Sequence, residues 1–146
     1  MERAVVVKRI KDLSDLIAAL TETISNIRQL QRQWRDIDLT VLSLEIQLLA
    51  LRTALSQIQE GMEQSSQFGL PELNHQLVMD LGRCIACCRL LITKVNTDVA
   101  ELEQTTGGKS SNKSVRLSKT SNLKETQAMI QQQTTALTLY LTVCNS

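Results

Sequence analysis

From Val6 onward, apolar residues recur every three or four positions: Val6, Ile10, Leu13, Ile17, Leu20, Ile24 and Ile27. That spacing puts them on one helix face, and Leu16, Ala19 and Leu30 widen the stripe. The rhythm resets across "WRDIDLT", where Asp36 or Asp38 can cap a second helix. Its seam is Ile37, Val41, Leu44, Leu48, Leu51, Leu55, Ile58 and Met62, a sustained heptad pattern. Leu42, Ile46 and Leu49 add apolar character beside that seam, so this helix is expected to be the most buried. "EGMEQSSQFGLPEL" is the first clear break, and Pro71 suits the first turn of a third helix. That helix presents Leu77, Leu81, Cys84, Cys88, Leu91, Val95 and Leu102, with Val78, Ile85, Ile92 and Val99 alongside. Residues 105–121 are poor in apolar side chains and rich in serine and lysine, which reads as a flexible loop. A fourth helix follows from about Asn122, with Leu123, Ile130, Leu137, Leu141 and Cys144 on one face. "TALTLYLTV" also alternates as a strand would, but "LKETQAMIQQQ" favours helix and a lone strand would lack a partner.

The fold class expected is therefore all-α: an antiparallel bundle of four long helices, the first open to a split, forming a single domain over 1–146. The core is expected to contain Ile17, Leu20, Ile24, Val41, Leu44, Leu48, Leu51, Leu55, Leu81, Cys84, Cys88, Leu91, Val95, Leu137 and Leu141. With only Trp34, Phe68 and Tyr140 aromatic, that core must be aliphatic. One proline and five glycines are too few for an all-β chain with its frequent turns. Formal charge is +1, distributed as +3 over 1–35, −4 over 36–63, −2 over 70–104 and +4 over 105–146. Helices of opposite sign pack more readily than like-signed ones, so this distribution points to complementarity inside the molecule rather than to a nucleic-acid footprint. The opening "MERAVVVKRIKDL" is not a secretion signal, because Lys8, Arg9 and Lys11 interrupt its short apolar run. No uninterrupted apolar stretch approaches the ~18 residues of a membrane span. A cytoplasmic location follows as the expectation, with the cysteines kept as thiols.

"CIACC" at Cys84–Cys88 is the most chemically suggestive run. Cys84 and Cys88 follow the same rhythm as the neighbouring leucines, so both read as small hydrophobes in the core. A zinc site wants four ligands in paired elements, and His75, the one histidine, stands nine residues before Cys84. No metal or cofactor is expected. "TTGGKSS" lacks the first glycine of a phosphate loop and follows a helix rather than a strand. No catalytic residues and no small-molecule substrate are assigned, because nothing pairs a nucleophile with a base. Trp34 reads as a corner anchor between the first two helices. Arg3, Lys8, Arg9 and Lys11, interleaved with Val5–Val7 and Ile10, form a basic amphipathic start. They are the candidate contacts for a partner or an anionic membrane surface.

Three segments in order, "DIDLTVLSLEIQLLALRTALSQI", "NHQLVMDLGRCIACCRLLITKV" and "LKETQAMIQQQTTALTLYLTVCN", resemble the helical N-terminal domains of filamentous-fungal multidomain proteins. In those chains the domain precedes ankyrin repeats or a NACHT-type signal-transduction ATPase of the STAND class. The resemblance covers roughly residues 30–146, and "QLVMDL…CIACCRLLI" with "TALTLYLTVCN" carries most of it. Members usually begin with a more apolar, Gly/Ala-containing helix. The resemblance implies a non-enzymatic signalling or adaptor module that meets protein partners, or copies of itself, through helices. The related HeLo-like bundles imply a second role, as membrane-active cell-death effectors working through their first helix. It further implies that a linker to another domain begins near the closing "YLTVCNS".

Overall fold

The computed structural model describes residues 3–33, 38–67, 75–106 and 123–145, and all of them except Asp38 are helical. The helices are α1 (Arg3–Gln33), α2 (Leu39–Gln67), α3 (His75–Thr106) and α4 (Leu123–Asn145). At 1.5 Å per residue the first three run roughly 44–48 Å and α4 about 35 Å. They pack into an all-α four-helix bundle. α1 is a single unbroken helix, so the split allowed for it does not occur. Trp34, Pro71 and residues 107–121 of the expected loop lie outside the described residues, whereas residues 105–106 belong to the end of α3.

Local chemistry accounts for two of the less obvious elements. Asp38 is the cap of α2: its Oδ1 accepts from the amides of Thr40 at 2.9 Å and Val41 at 3.2 Å. Those amides have no partner within the helix, and a capping carboxylate supplies one. In α4 the strand-like "TALTLYLTV" is helical throughout. Thr134, Thr138 and Thr142 each donate a hydroxyl to the carbonyl four residues earlier, at 2.8–3.0 Å. Burial of Ile130 and Leu137 against the other helices then outweighs the weak helix propensity of threonine.

The arrangement of the corners follows from side-chain ties between helices. Arg28 to Glu45 and Gln59 to Ile10 run α1 antiparallel to α2. Arg9 to Val78 and Thr23 to Asn96 run α1 parallel to α3. Gln127 to Thr40 makes α2 and α4 parallel, and Cys84 with Tyr140 makes α3 and α4 antiparallel. Among the described residues α1 touches α2 and α3 but not α4, while α2 touches α1 and α4 but not α3. Consecutive helices therefore alternate in direction as expected. Yet α2 and α3, neighbours in the chain, occupy opposite corners.

One continuous aliphatic cluster fills the centre. Leu20, Ile24, Val41, Leu44, Leu48, Leu51, Leu55, Leu81, Cys88, Leu91, Val95 and Leu137 are buried in it. Ile17, Cys84 and Leu141, expected in the core, are instead half-buried against its margin, because each lies at the flank of its stripe where two helices meet. The larger correction concerns α2. Leu42 and Leu49 are half-buried, and Ile46 is 58% exposed with Leu39 at 78%. A corner helix has two neighbours, here α1 and α4, so its far face has nothing to cover it. The expected deep burial of that face does not happen. Within Leu39–Gln64 an 18-residue window reaches a mean hydropathy of 1.4, so the helix is long and apolar enough to cross a membrane by length and composition even though no run is uninterrupted.

Some polar atoms sit uneasily in this interior. Gln47 Oε1, Gln133 Oε1 and Thr126 Oγ1 are buried without hydrogen-bond partners. Each such group costs about 1–3 kcal/mol. All three belong to the adjacent helices α2 and α4, which are held together by aliphatic contacts and by the hydrogen bond from Gln127 to the Thr40 carbonyl.

Leu48→Asp should abolish the cooperative thermal transition, because an unpaired buried charge costs several kcal/mol against a total stability of about 5–15 kcal/mol. Ile46→Asp, two positions away but outside, should shift stability by less than about 1 kcal/mol. Circular dichroism melts check both, and equal melts for the two would reverse the assignment of faces.

Candidate functional site

The cysteine run divides between core and edge. Cys88 is fully buried, and burial pushes its thiol up to about 12. Cys84 is half-buried at the α3–α4 boundary, beside Tyr140. Burial raises the Cys84 thiol, and the Tyr140 hydrogen bond opposes the shift. A thiol held neutral is a poor nucleophile and a poor metal ligand. Cys87 is half-buried on the same helix. Among the described residues no three His, Cys, Asp or Glu side chains gather as a metal would require. The side chains of His75 and Cys144 lie outside the described set.

The basic start of α1 is not uniformly available. Lys8 and Lys11 are exposed, as expected of surface contacts, whereas the side chain of Arg3 lies outside the described set. Arg9 corrects the expectation. Its side chain is only 16% exposed and reaches inward, with Nε donating to Val78 O at 3.1 Å and Nη1 to Asp12 Oδ2 at 3.3 Å. Asp12 Oδ1 in turn lies 3.7 Å from Arg89 of α3. The guanidinium occupies the gap left by Gly82. A Cβ there would lie 2.5 Å from Arg9 Cζ and 2.9 Å from Nε. Arg9 is thus a tie from α1 to α3. Its long stem lets it leave the solvated face that its place in the sequence suggests. Gly82, inside a helix where glycine costs about 1 kcal/mol against alanine, was the readable signal for a close approach.

Further along the same α1–α3 boundary an open groove of about 670 Å³ is lined by Glu22, Asn26, Gln29, Asn96, Ala100 and Glu103, among others. At its edge Thr23 Oγ1, itself buried, lies 3.0 Å from both Ala19 O and Asn96 Oδ1. The lining offers amides and exposed carboxylates, which can hydrogen-bond a ligand, but no serine, cysteine, histidine or lysine to attack one.

The outer face of α2 is the most distinctive surface. Leu39, Leu42, Ile46 and Leu49 follow a three–four–three spacing along the exposed corner. Between Leu39 and Gln59 the charges are Glu45 and Arg52. Glu45 accepts from Arg28 at 3.1 Å and from Gln31 at 3.3 Å, and Arg52 donates to Thr21 at 3.2 Å, so both are engaged by α1. Charges are sparse on α4 too, with Lys124 and Glu125 at its start and none after them. The charged surface lies on α1 and α3. Other exposed apolar residues are dispersed: Val7 on α1, Met79 and Leu90 about three turns apart on α3, and Leu139 on α4. Scattered residues of that kind are ordinary, whereas exposed Leu39 and Ile46 line up with half-buried Leu42 and Leu49 along one helix face. Their spacing was visible in the chain but looked like extra burial.

No family model matches the chain, and neither a curated protein nor a solved structure does.

Two measurements probe the inward groups. Gly82→Ala alone should displace Arg9 and leave stability within about 1 kcal/mol, lost hydrogen bonds offsetting the gain in helix propensity. In an Arg9→Ala background the same change should stabilise by about 1 kcal/mol, and denaturant titration of the four proteins reads that non-additivity. For Cys88, the ordinary thiol value is 9.0 and the folded value is raised, so its contribution is complete below pH 9 and is lost as pH rises towards 12. The wild type should lose about 1.4 kcal/mol per pH unit more than Cys88→Ala across that window. Parallel slopes in urea titrations would mean the thiol is not held neutral.

Proposed function

We propose that this bundle is a non-enzymatic signalling or adaptor module that works by helix-mediated contact with other proteins in the cytoplasm, at the front of a longer NACHT-type or ankyrin-repeat polypeptide. The observation that carries the reading is the α2 stripe: exposed leucine and isoleucine at helix-pairing spacing, on a face whose charges are already engaged. Charge depletion with apolar anchors is the composition of an interface centre. The resemblance of residues 30–146 to fungal N-terminal domains supports the same role and supplies the setting. Contact through α2 also revises where partners are met. The basic start of α1 is the less suited surface, since Arg9 is committed to Val78 and Asp12.

The alternative is a HeLo-like membrane-active effector using the first helix. Exposed Lys8 and Lys11 beside exposed Val7 favour it. Against it, releasing α1 would bare Val6, Leu13, Leu16, Leu20, Ile24, Ile27 and Leu30. At about 1.5–3 kcal/mol per side chain that is roughly 10–20 kcal/mol, a cost the membrane would have to match.

Proximity labelling in the native cells tests the reading, comparing wild type with Leu39→Glu/Ile46→Glu at equal abundance. Neighbours enriched by the wild type should be lost from the double variant. Identical neighbour sets would overturn the reading. Binding of the pure bundle to anionic vesicles that disappears in Lys8→Glu/Lys11→Glu would transfer the case to the membrane effector.

A further inference from the structure

We infer that α4 opens as a unit from a framework of α1, α2 and α3, baring Cys88 and the aliphatic slot between α2 and α3. The device goes beyond the interaction reading and does not depend on the outer face of α2. Topology permits it. α1 touches both α2 and α3, so those two stay joined when α4 leaves, and among the described residues α1 and α4 do not touch. α4 is also the shortest helix, 23 residues against 29 to 32 for the others.

The forces that hold the helices are unequal. Among the described side chains α1 buries seven aliphatic groups, from Val6 to Leu30, whereas α4 buries Leu123, Ile130 and Leu137. Directional ties divide the same way. α1 is joined to its neighbours by the pairs Arg28–Glu45 and Asp12–Arg89 and by hydrogen bonds from Arg9 to Val78 O and between Thr23 and Asn96. The described residues of α4 contribute the Gln127 bond to Thr40 O at 3.0 Å and Tyr140 beside Cys84. The unsatisfied polar atoms also fall at α4. Thr126 Oγ1 and Gln133 Oε1 belong to it, and Gln47 is two turns along α2 from Thr40, on the face that Gln127 reaches. Docking α4 strips these atoms of water without giving them partners, and undocking returns the water. Local openings gather in contiguous units of low stability, and α4 has the properties of one.

Opening has a chemical consequence. Cys88 is fully buried and faces the centre, one turn on from Cys84 at the α4 boundary. With α4 docked the thiol is shut away and inert. With α4 away solvent reaches it, and it ionises and reacts as an ordinary cysteine. The bundle thus has a two-state element: a closed form, and an open form that shows an apolar slot and a reactive thiol.

The test is amide hydrogen exchange on the wild-type chain, together with alkylation by iodoacetamide of a full chain in which Cys84→Ser, Cys87→Ser and Cys144→Ser leave Cys88 as the one thiol. The α4 amides should exchange together and ahead of the α1 amides. Cys88 should be alkylated faster than the unfolding equilibrium from urea titration allows. Thr126→Val, which removes one unpaired hydroxyl, should slow the alkylation about tenfold. Ile17 stands between Ser14 and Thr21, which Gln59 and Arg52 of α2 reach, so Ile17→Ala weakens the framework rather than the α4 seat. It should lower the urea midpoint and leave the alkylation within about twofold of its parent. Exchange of α1 and α4 amides at one common rate overturns the proposal. So does alkylation that rises in Ile17→Ala in step with the loss of global stability, or that ignores Thr126→Val. Should the cysteine-depleted chain fold poorly, the wild-type exchange pattern decides alone.

Discussion

Packing of a nearly pure aliphatic core against a few long polar ties is the constraint on which the rest of this structure depends. Leucine, isoleucine and valine along four helices supply most of the burial. Such a core is permissive, because leucine-rich faces fit one another in more than one order. What selects one order is the set of directional contacts: Arg9 on the Val78 carbonyl, Thr23 on Asn96, Glu45 on Arg28, and Gln127 on the Thr40 carbonyl. Each is worth little alone, about 0.5–1.5 kcal/mol for a neutral hydrogen bond. Together they discriminate between arrangements that apolar area hardly separates.

That division of labour distributes charge unevenly over the surface. α1 and α3 carry most of the ionic groups, and some of these tie the two parallel helices to each other, as Asp12 does between Arg9 and Arg89. α2 and α4 hold together through aliphatic contact, with Gln47, Gln133 and Thr126 left unsatisfied between or near them. The α2–α4 side is therefore sparse in charge, and the apolar stripe of α2 faces outward with charges only beyond its end, at exposed Glu60 and Glu63. Among the described residues most charges lie on the α1–α3 side, and the packing that stabilises the bundle leaves the apolar seam of α2 uncovered on the other.

The cysteines illustrate how position within a helix decides chemistry. Cys84 and Cys88 are one turn apart and look equivalent in the chain. Cys88 faces the centre and is held neutral, while Cys84 is at the α3–α4 boundary under Tyr140. Arg9 makes the same point from the polar side. It stands among Lys8 and Lys11 in sequence, yet Gly82 on a helix 69 residues away gives its guanidinium a place inside.

Periodicity alone determined the four helices, most of their inward faces and the inward turn of Cys88, because helix geometry converts three–four spacing directly into a face. Between Asp36 and Asp38 as the cap of α2 the sequence left the choice open, and the structure shows Asp38 capping. The same periodicity could not say whether Leu39, Leu42, Ile46 and Leu49 would be covered, nor that Ile17, Cys84 and Leu141 would stop at the margin. Those outcomes depend on which helices stand beside which, and only the assembled bundle decides that. A corner helix has two neighbours, so an apolar face pointing away from both remains outside however hydrophobic it is.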